Sequence, residues 1–139
     1  MIAVDSGTNQ LDWRLRTDER VDVREKTNAR SLQPKDFETK FDLIVMDVSF
    51  ISVTKILPAM VPLLKNNGKV IVLIKPQFEA GREQVGKGGI VRDESIRAKV
   101  VESVNSFVST IGLKCKGTIE SPILGAEGNM EFLSLYERQ

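Results

Sequence analysis

The sequence predicts an α/β fold whose mainly parallel sheet ends in an antiparallel strand pair, on three observations. The runs Phe41–Met46 and Lys69–Ile74 are nearly continuous in Val, Ile and Leu, as in strands covered on both faces. Strand-like and helix-like patterns alternate along most of the chain. The last two strand patterns then follow one another with the turn GAEGN between them, so they pair as neighbours.

The elements follow in order. Ile2 to Asp5 reads as a short strand, with Ser6-Gly7 as a turn, and Thr8 to Arg16 as a helix carrying Leu11 and Leu15 on one face. Val21 to Glu25 is a second short strand, followed by an irregular stretch through Asn28 and Pro34. Phe41 to Met46 is the first strong strand. A helix is expected from Ser52 to about Lys65, kinked at Pro62 and stopped by Asn66-Asn67-Gly68. Lys69 to Ile74 is the second strong strand, and a long Gly-rich loop covers Pro76 to Arg92. Asp93 caps the best helix: Ile96, Val100, Val104, Phe107 and Ile111 recur at helical spacing before Gly112. Lys114 to Glu120 and Met130 to Tyr136 are the closing strands.

Composition narrows the chemistry. The chain has 139 residues, one domain by length, with 28% charged residues and a net charge of +1. No nucleic-acid, membrane or acidic partner is announced by that balance. A single cysteine, Cys115, excludes an intramolecular disulfide or a multi-cysteine metal site. The absence of histidine removes Ser-His and Cys-His triads, His-ligated zinc and an imidazole base. Proton transfer falls to Lys, Asp, Glu, Tyr or water. No signal pattern opens the chain, and its apolar runs are far shorter than the ~20 residues a membrane span needs, so a soluble cytoplasmic protein is expected.

The functional lead is where charge meets the strong strands. FDLIVMD ends in Asp47 and GKVIVLIKP in Lys75. Ligands of open α/β sheets bind beyond the carboxyl ends of the strands, so an acid and a base are carried to one rim. Glu131 adds a carboxylate at the start of the last strand. A lysine between two carboxylates would be held in place and have its protonation tuned. Each also has a plain structural role open to it: Asp47 as a helix cap, Lys75 as a strand end leaning into water. Asp5 sits where α/β nucleotide-binding folds place an acceptor for ribose hydroxyls, and equally where an Asx-turn would form.

Within the Gly-rich loop, Gly81 to Lys87 fits G-x-x-x-x-G-K, but Gly88 stands where a magnesium-binding Ser or Thr belongs, and no helix follows directly. A phosphate-binding P-loop is therefore not read; the plain reading is a mobile loop, and a loop of this length is also often a lid or binding element. Arg82, Lys87 and Arg92 suit the phosphates of a nucleic acid and, equally, simple ion pairs with Glu79 and Glu83.

The blocks DVSFIS, LIKPQFEAGRE, VGKGGIVRD and GNMEFL, with VDSGTNQLDWRLRTDERV and EKTNAR, resemble the TlyA family, once labelled hemolysin-like. That family is similar to the FtsJ-type RNA 2′-O-ribose methyltransferases, and the likeness runs over essentially the whole chain. It implies a Rossmann-like methyltransferase sheet, S-adenosylmethionine as cofactor, and RNA as partner, either ribosomal RNA or the ribosomal subunit. It also implies a Lys-Asp-Lys-Glu tetrad around the target hydroxyl, of which Asp47, Lys75 and Glu131 match three members. Asp5 would hold the cofactor ribose, Asn28 would lie near the adenine, and Asp47 would also face the cofactor. No metal is required.

Against the family pattern, the S4-like RNA-binding domain, the first tetrad lysine, the first sheet strand and its Gly-rich cofactor loop are not found in these residues. The expectation is an incomplete methyltransferase domain over residues 1–139, impaired in cofactor binding and transfer, with unpaired strand edges that invite self-association. A non-catalytic remnant or RNA/protein interaction module is the alternative. A hemolysin lacks support from any spanning segment or basic amphipathic helix, and an NAD enzyme lacks its G-x-G-x-x-G.

Overall fold

The computed structural model describes residues 1–139. Six strands are formed: β1 (Ile2–Val4), β2 (Asp22–Arg24), β3 (Phe41–Met46), β4 (Leu64–Ile74), β5 (Leu113–Glu120) and β6 (Phe132–Arg138). β1 and β2 pair in parallel as a two-stranded sheet. The other four form a second sheet in the order β3-β4-β6-β5, parallel between β3 and β4 and antiparallel across the rest. The predicted α/β sheet with an antiparallel end is therefore present, and no ladder joins β1 to β3.

The long helix α4 (Glu94–Thr110) forms as its sequence dictates. The Asp93 carboxylate accepts the Ser95 amide at 2.8 Å, and Gly112 leaves the helix at φ 86°, a conformation costly for other residues. Val100, Val104 and Val108 lie one turn apart and are buried against Val70, Val72 and Ile74 of β4 and Tyr136 of β6. Val53, Ile56, Leu57, Met60 and Leu63 complete this single core, which covers one sheet face. The other face differs from the expectation of two-sided burial. Leu43, Val45 and Ile119 are each more than half exposed there, because no helix among these residues crosses it.

Three local expectations are corrected. The helix expected over Thr8–Arg16 is only α1 (Trp13–Arg16): Asn9 turns left-handed and Asp12 caps later, taking the Arg14 amide. The helix expected over Ser52–Lys65 breaks into a 3₁₀ turn (Val53–Lys55), α2 (Leu57–Met60) and a second 3₁₀ turn (Val61–Leu63). Pro58 and Pro62 each lie at the start of a piece, where a missing N–H costs nothing. Asn66-Asn67-Gly68 is not a helix stop but an irregularity inside β4, where the register against β3 shifts. Asn67 takes φ 62°, and a Cβ on Gly68 would come within 2.8 Å of the Lys65 carbonyl. No helix is long and apolar enough to cross a membrane.

Candidate active site at the carboxyl rim of the sheet

The parallel pairing of β3 with β4 puts residues 47 and 75 at the same rim, and antiparallel β6 starts there. Because Ile74 pairs with Phe132, Lys75 and Glu131 are next to each other in the two strands. Topology thus brings the three predicted residues together from positions far apart in sequence.

Their contacts are unequal. Lys75 Nζ lies 2.7 Å from Asp47 Oδ1 and donates to Ser49 Oγ at 3.0 Å. The lysine side chain is 14% exposed and the aspartate 66% exposed. Glu131, only 5% exposed, makes no ion pair with Lys75; its Oε1 accepts from Gln77 Nε2 at 3.0 Å. The expected lysine between two carboxylates is therefore a lysine on one carboxylate, with the second held alongside by an amide. The Glu131 carboxylate lies directly over Gly125, where a Cβ would overlap it.

The segment after Lys75 is α3 (Pro76–Glu79), a short helix inside the stretch expected to be loop. Its Glu79 reaches back across the rim: Oε1 accepts the Val53 amide at 2.7 Å and Oε2 the Ser52 hydroxyl at 2.6 Å. Burial pushes the Glu79 carboxyl up from its ordinary value, and the two donors oppose that shift. Phe78 packs on Phe50 with ring centroids 5.0 Å apart. Phe50 itself is 90% exposed and has φ 64°, a strained conformation for a bulky residue.

The Gly-rich loop is pinned rather than free. Asn129, 2% exposed, donates to the Gly89 and Ala126 carbonyls and accepts the Val91 amide. Gly86 and Ile90 close a small bridge, and Gly88 and Gly89 take positive φ. Arg82, Lys87 and Arg92 are exposed on this loop, and none forms an ion pair; Arg92 donates to the Lys87 carbonyl. Glu79 is engaged elsewhere.

On the smaller sheet, Asp5 follows β1 and its Oδ1 accepts the Gly7 amide at 2.6 Å, an Asx-turn. Asn28 caps a 3₁₀ turn (Ala29–Ser31), accepting the Arg30 amide. The Asp5 carbonyl accepts from Thr27, which brings the two residues to one rim. Both side chains are exposed and keep polar atoms free.

Sequence reasoning assigned no role to Ser49, Phe50 or Gln77, gave Glu79 only as an ion-pair partner of the loop cations, and placed Gly125 and Asn129 only in a turn. Their signal was present in the blocks DVSFIS, KPQFE and GAEGNME, which hold too many polar and small residues for plain connectors.

A family model described as FtsJ-like methyltransferase matches residues 1–138. The chain belongs to the FtsJ-like methyltransferase family. It is 52% identical over 132 residues to YqxC, a candidate rRNA methyltransferase of Bacillus subtilis (strain 168), covering 94% of this chain and 47% of that protein. It is 43% identical to the 16S/23S rRNA (cytidine-2′-O)-methyltransferase TlyA of Mycobacterium tuberculosis, covering 95% and 49%. The chain thus spans about half the length of these relatives. A solved candidate hemolysin from Streptococcus thermophilus superposes with TM-score 0.94 at 50% identity, over 99% of this chain and 50% of that one. The N-methyltransferase NodS of Bradyrhizobium japonicum, solved with S-adenosyl-l-homocysteine, shares the fold alone: TM-score 0.63, 14% identity, 99% and 65% coverage.

Proposed function

We propose that this chain carries the catalytic centre of an S-adenosylmethionine-dependent RNA ribose 2′-O-methyltransferase acting on ribosomal RNA in the cytoplasm. The observation that carries the reading is the Lys75–Asp47 pair, 2.7 Å apart at a sheet rim, with the Glu131 carboxylate beside it.

The residues on the smaller sheet suit the cofactor. Asp5 keeps one carboxylate oxygen for ribose hydroxyls, since its other oxygen takes the Gly7 amide. Asn28 keeps its amide group for an adenine edge. Bound cofactor supplies a sulfonium methyl that is already activated, so the protein has chiefly to align the ribose oxygen. Lys75, held in place by Asp47, stabilises the charge that develops on that oxygen. Asp47, two-thirds exposed, takes the hydroxyl proton and passes it to water. Glu131 fixes the same wall through Gln77.

RNA recognition is assigned to two features. Phe50 is an exposed aromatic held in a strained backbone next to Lys75's partner Ser49, which suits stacking on an unpaired base. Arg82, Lys87 and Arg92, free of ion pairs on a pinned loop, suit the phosphates.

The test has two arms. Isothermal titration of the chain with S-adenosylmethionine should show saturable binding that Asp5→Ala weakens. Tritiated-methyl transfer to ribosomal RNA, expected to be weak from this chain, should fall on ribose and be lost in Lys75→Met; label on bases instead of ribose would overturn the reading. A second reading, a non-catalytic RNA-binding module, is favoured by one observation: the cofactor-side residues and the Lys75 site lie on two sheets with no shared ladder. RNA binding without any cofactor binding would select it.

A further inference from the structure

Two connections run in parallel beyond the ends of β3 and β4, and their side chains meet in sequence. Lys75 reaches Asp47 and Ser49, Phe78 packs on Phe50, and Glu79 takes Ser52 and Val53. The contacts advance along both segments together, and Glu79 is the last of them. We propose that Glu79 is the positioning residue that sets the geometry of the Lys75–Asp47 pair, by locking α3 to the segment that carries Asp47, Ser49 and Phe50.

The pair cannot fix its own geometry. Asp47 is two-thirds exposed, and an ion pair with so wet a partner is weak and readily exchanged with water. The Phe50–Phe78 contact involves a ring open to solvent on its other side. Glu79 differs in kind: it is half-buried and accepts two hydrogen bonds at 2.6 and 2.7 Å, both assisted by its charge. The Ser52 hydroxyl is committed to it, because Ser52 Oγ also accepts the Thr54 amide and lies 2.7 Å from Thr54 Oγ1. One end of the clamp is anchored in the core, since Val53 is fully buried. The other end is the turn that begins at Lys75 itself, where the Phe78 amide returns to the Lys75 carbonyl at 2.9 Å. A shift of Glu79 therefore moves Lys75 against a fixed core, and Ser49 and Phe50 stay behind.

This inference rests on the proposed role of the pair in methyl transfer, but its test does not use transfer. The measurement is lysine footprinting of the 139-residue chain with an acylating reagent, read residue by residue by mass spectrometry. Glu79→Ala should raise the acylation rate of Lys75 at least fivefold relative to Lys65, Lys69 and Lys114, which serve as internal references. Glu79→Gln should stay within twofold of the parent, because its amide still accepts from Val53 and donates to Ser52. Ser52→Ala, which removes one arm of the clamp, should lie between them. If Glu79→Ala accelerates every lysine alike, the fold is lost in that variant, and the order of Ser52→Ala above Glu79→Gln then decides. Lys75 unchanged in Glu79→Ala, or Ser52→Ala no faster than Glu79→Gln, would overturn the proposal. The outcome stands whether or not the chain methylates RNA.

Discussion

Lys75 and Asp47 form an asymmetric pair: the ammonium is 14% exposed, its carboxylate partner 66%, at 2.7 Å. The lysine is enclosed by protein while the aspartate faces water. Removing the lysine takes away the group next to the reacting oxygen, and removing the aspartate takes away the proton acceptor and loosens a lysine that Ser49 still holds. Lys75→Met should cost about 10³-fold in methyl transfer and Asp47→Asn about ten- to a hundredfold. Because the aspartate is open to water, Asp47→Asn should not alter stability by more than about 1 kcal/mol. Urea unfolding alongside the transfer assay separates the two effects, and a large loss of stability in Asp47→Asn would argue for a structural pair.

Phe50 combines high exposure with φ 64°. Phe50→Gly relieves backbone strain of about 1–3 kcal/mol and loses a Phe78 contact of about 1 kcal/mol, so stability should change little or rise. Binding of single-stranded RNA should weaken by about 1–3 kcal/mol, the usual worth of a base stacked on an aromatic ring. Fluorescence anisotropy with a labelled RNA checks this; unchanged affinity would remove Phe50 from the RNA surface.

Asn129 holds the Gly-rich loop through two hydrogen bonds, from the Val91 amide and to the Gly89 carbonyl, and a third to Ala126 fixes its own turn. Asn129→Ala leaves the Val91 amide without its partner and should destabilise the fold by about 2–4 kcal/mol. Hydrogen exchange should accelerate across residues 86–91 more than in α4. Uniform acceleration would show that the loop is not a separate unit.

Gly125 is needed for the space above it, not for an unusual φ. Gly125→Ala overlaps the Glu131 carboxylate and should cost about 1–3 kcal/mol as Glu131 is forced off Gln77. The second variant Gly125→Ala/Glu131→Ala should recover part of that loss in thermal unfolding.

Tyr136 is the only tyrosine, so its ionisation can be followed directly by ultraviolet absorbance. Burial pushes its phenol up to about 12, and its hydroxyl donates to Asn105 Oδ1 at 2.7 Å. The folded value is raised above the ordinary one near 10. The stability it contributes is therefore complete below pH 10 and is lost as pH rises towards 12, by roughly 2 kcal/mol. Native tyrosinate absorbance should appear near pH 12; a midpoint at 10 would mean the ring is hydrated.

Patterns that depend on neighbours in sequence were legible. The β3 run Phe41–Met46, α4 with its Asp93 cap and Gly112 stop, and the charged residues at the ends of β3 and β4 all follow from local periodicity and capping. The helix expected after Ser52 was not, because two prolines four residues apart break it into single turns. Asn66-Asn67-Gly68 has the composition of a helix stop and is also compatible with an irregular strand; the ladder to β3, which pairs Leu64 with Phe41 and Lys69 with Leu43 on either side of it, selects the latter. The mobile loop expected over residues 76–92 is ordered by Asn129, whose partners lie about 40 residues away.

By itself the sequence determined the fold class, the acid and base at the sheet rim and the family resemblance, because each is written in residue type and short spacing. Tertiary structure alone decided which carboxylate Lys75 takes, that Glu131 rests on Gly125 under Gln77, and that Glu79 clamps the segment behind Asp47. Those outcomes depend on strand order and register, which place residues 26 to 54 positions apart within hydrogen-bond reach. The register is set by burial of one whole face of β4, a property of the packed sheet that no single segment encodes.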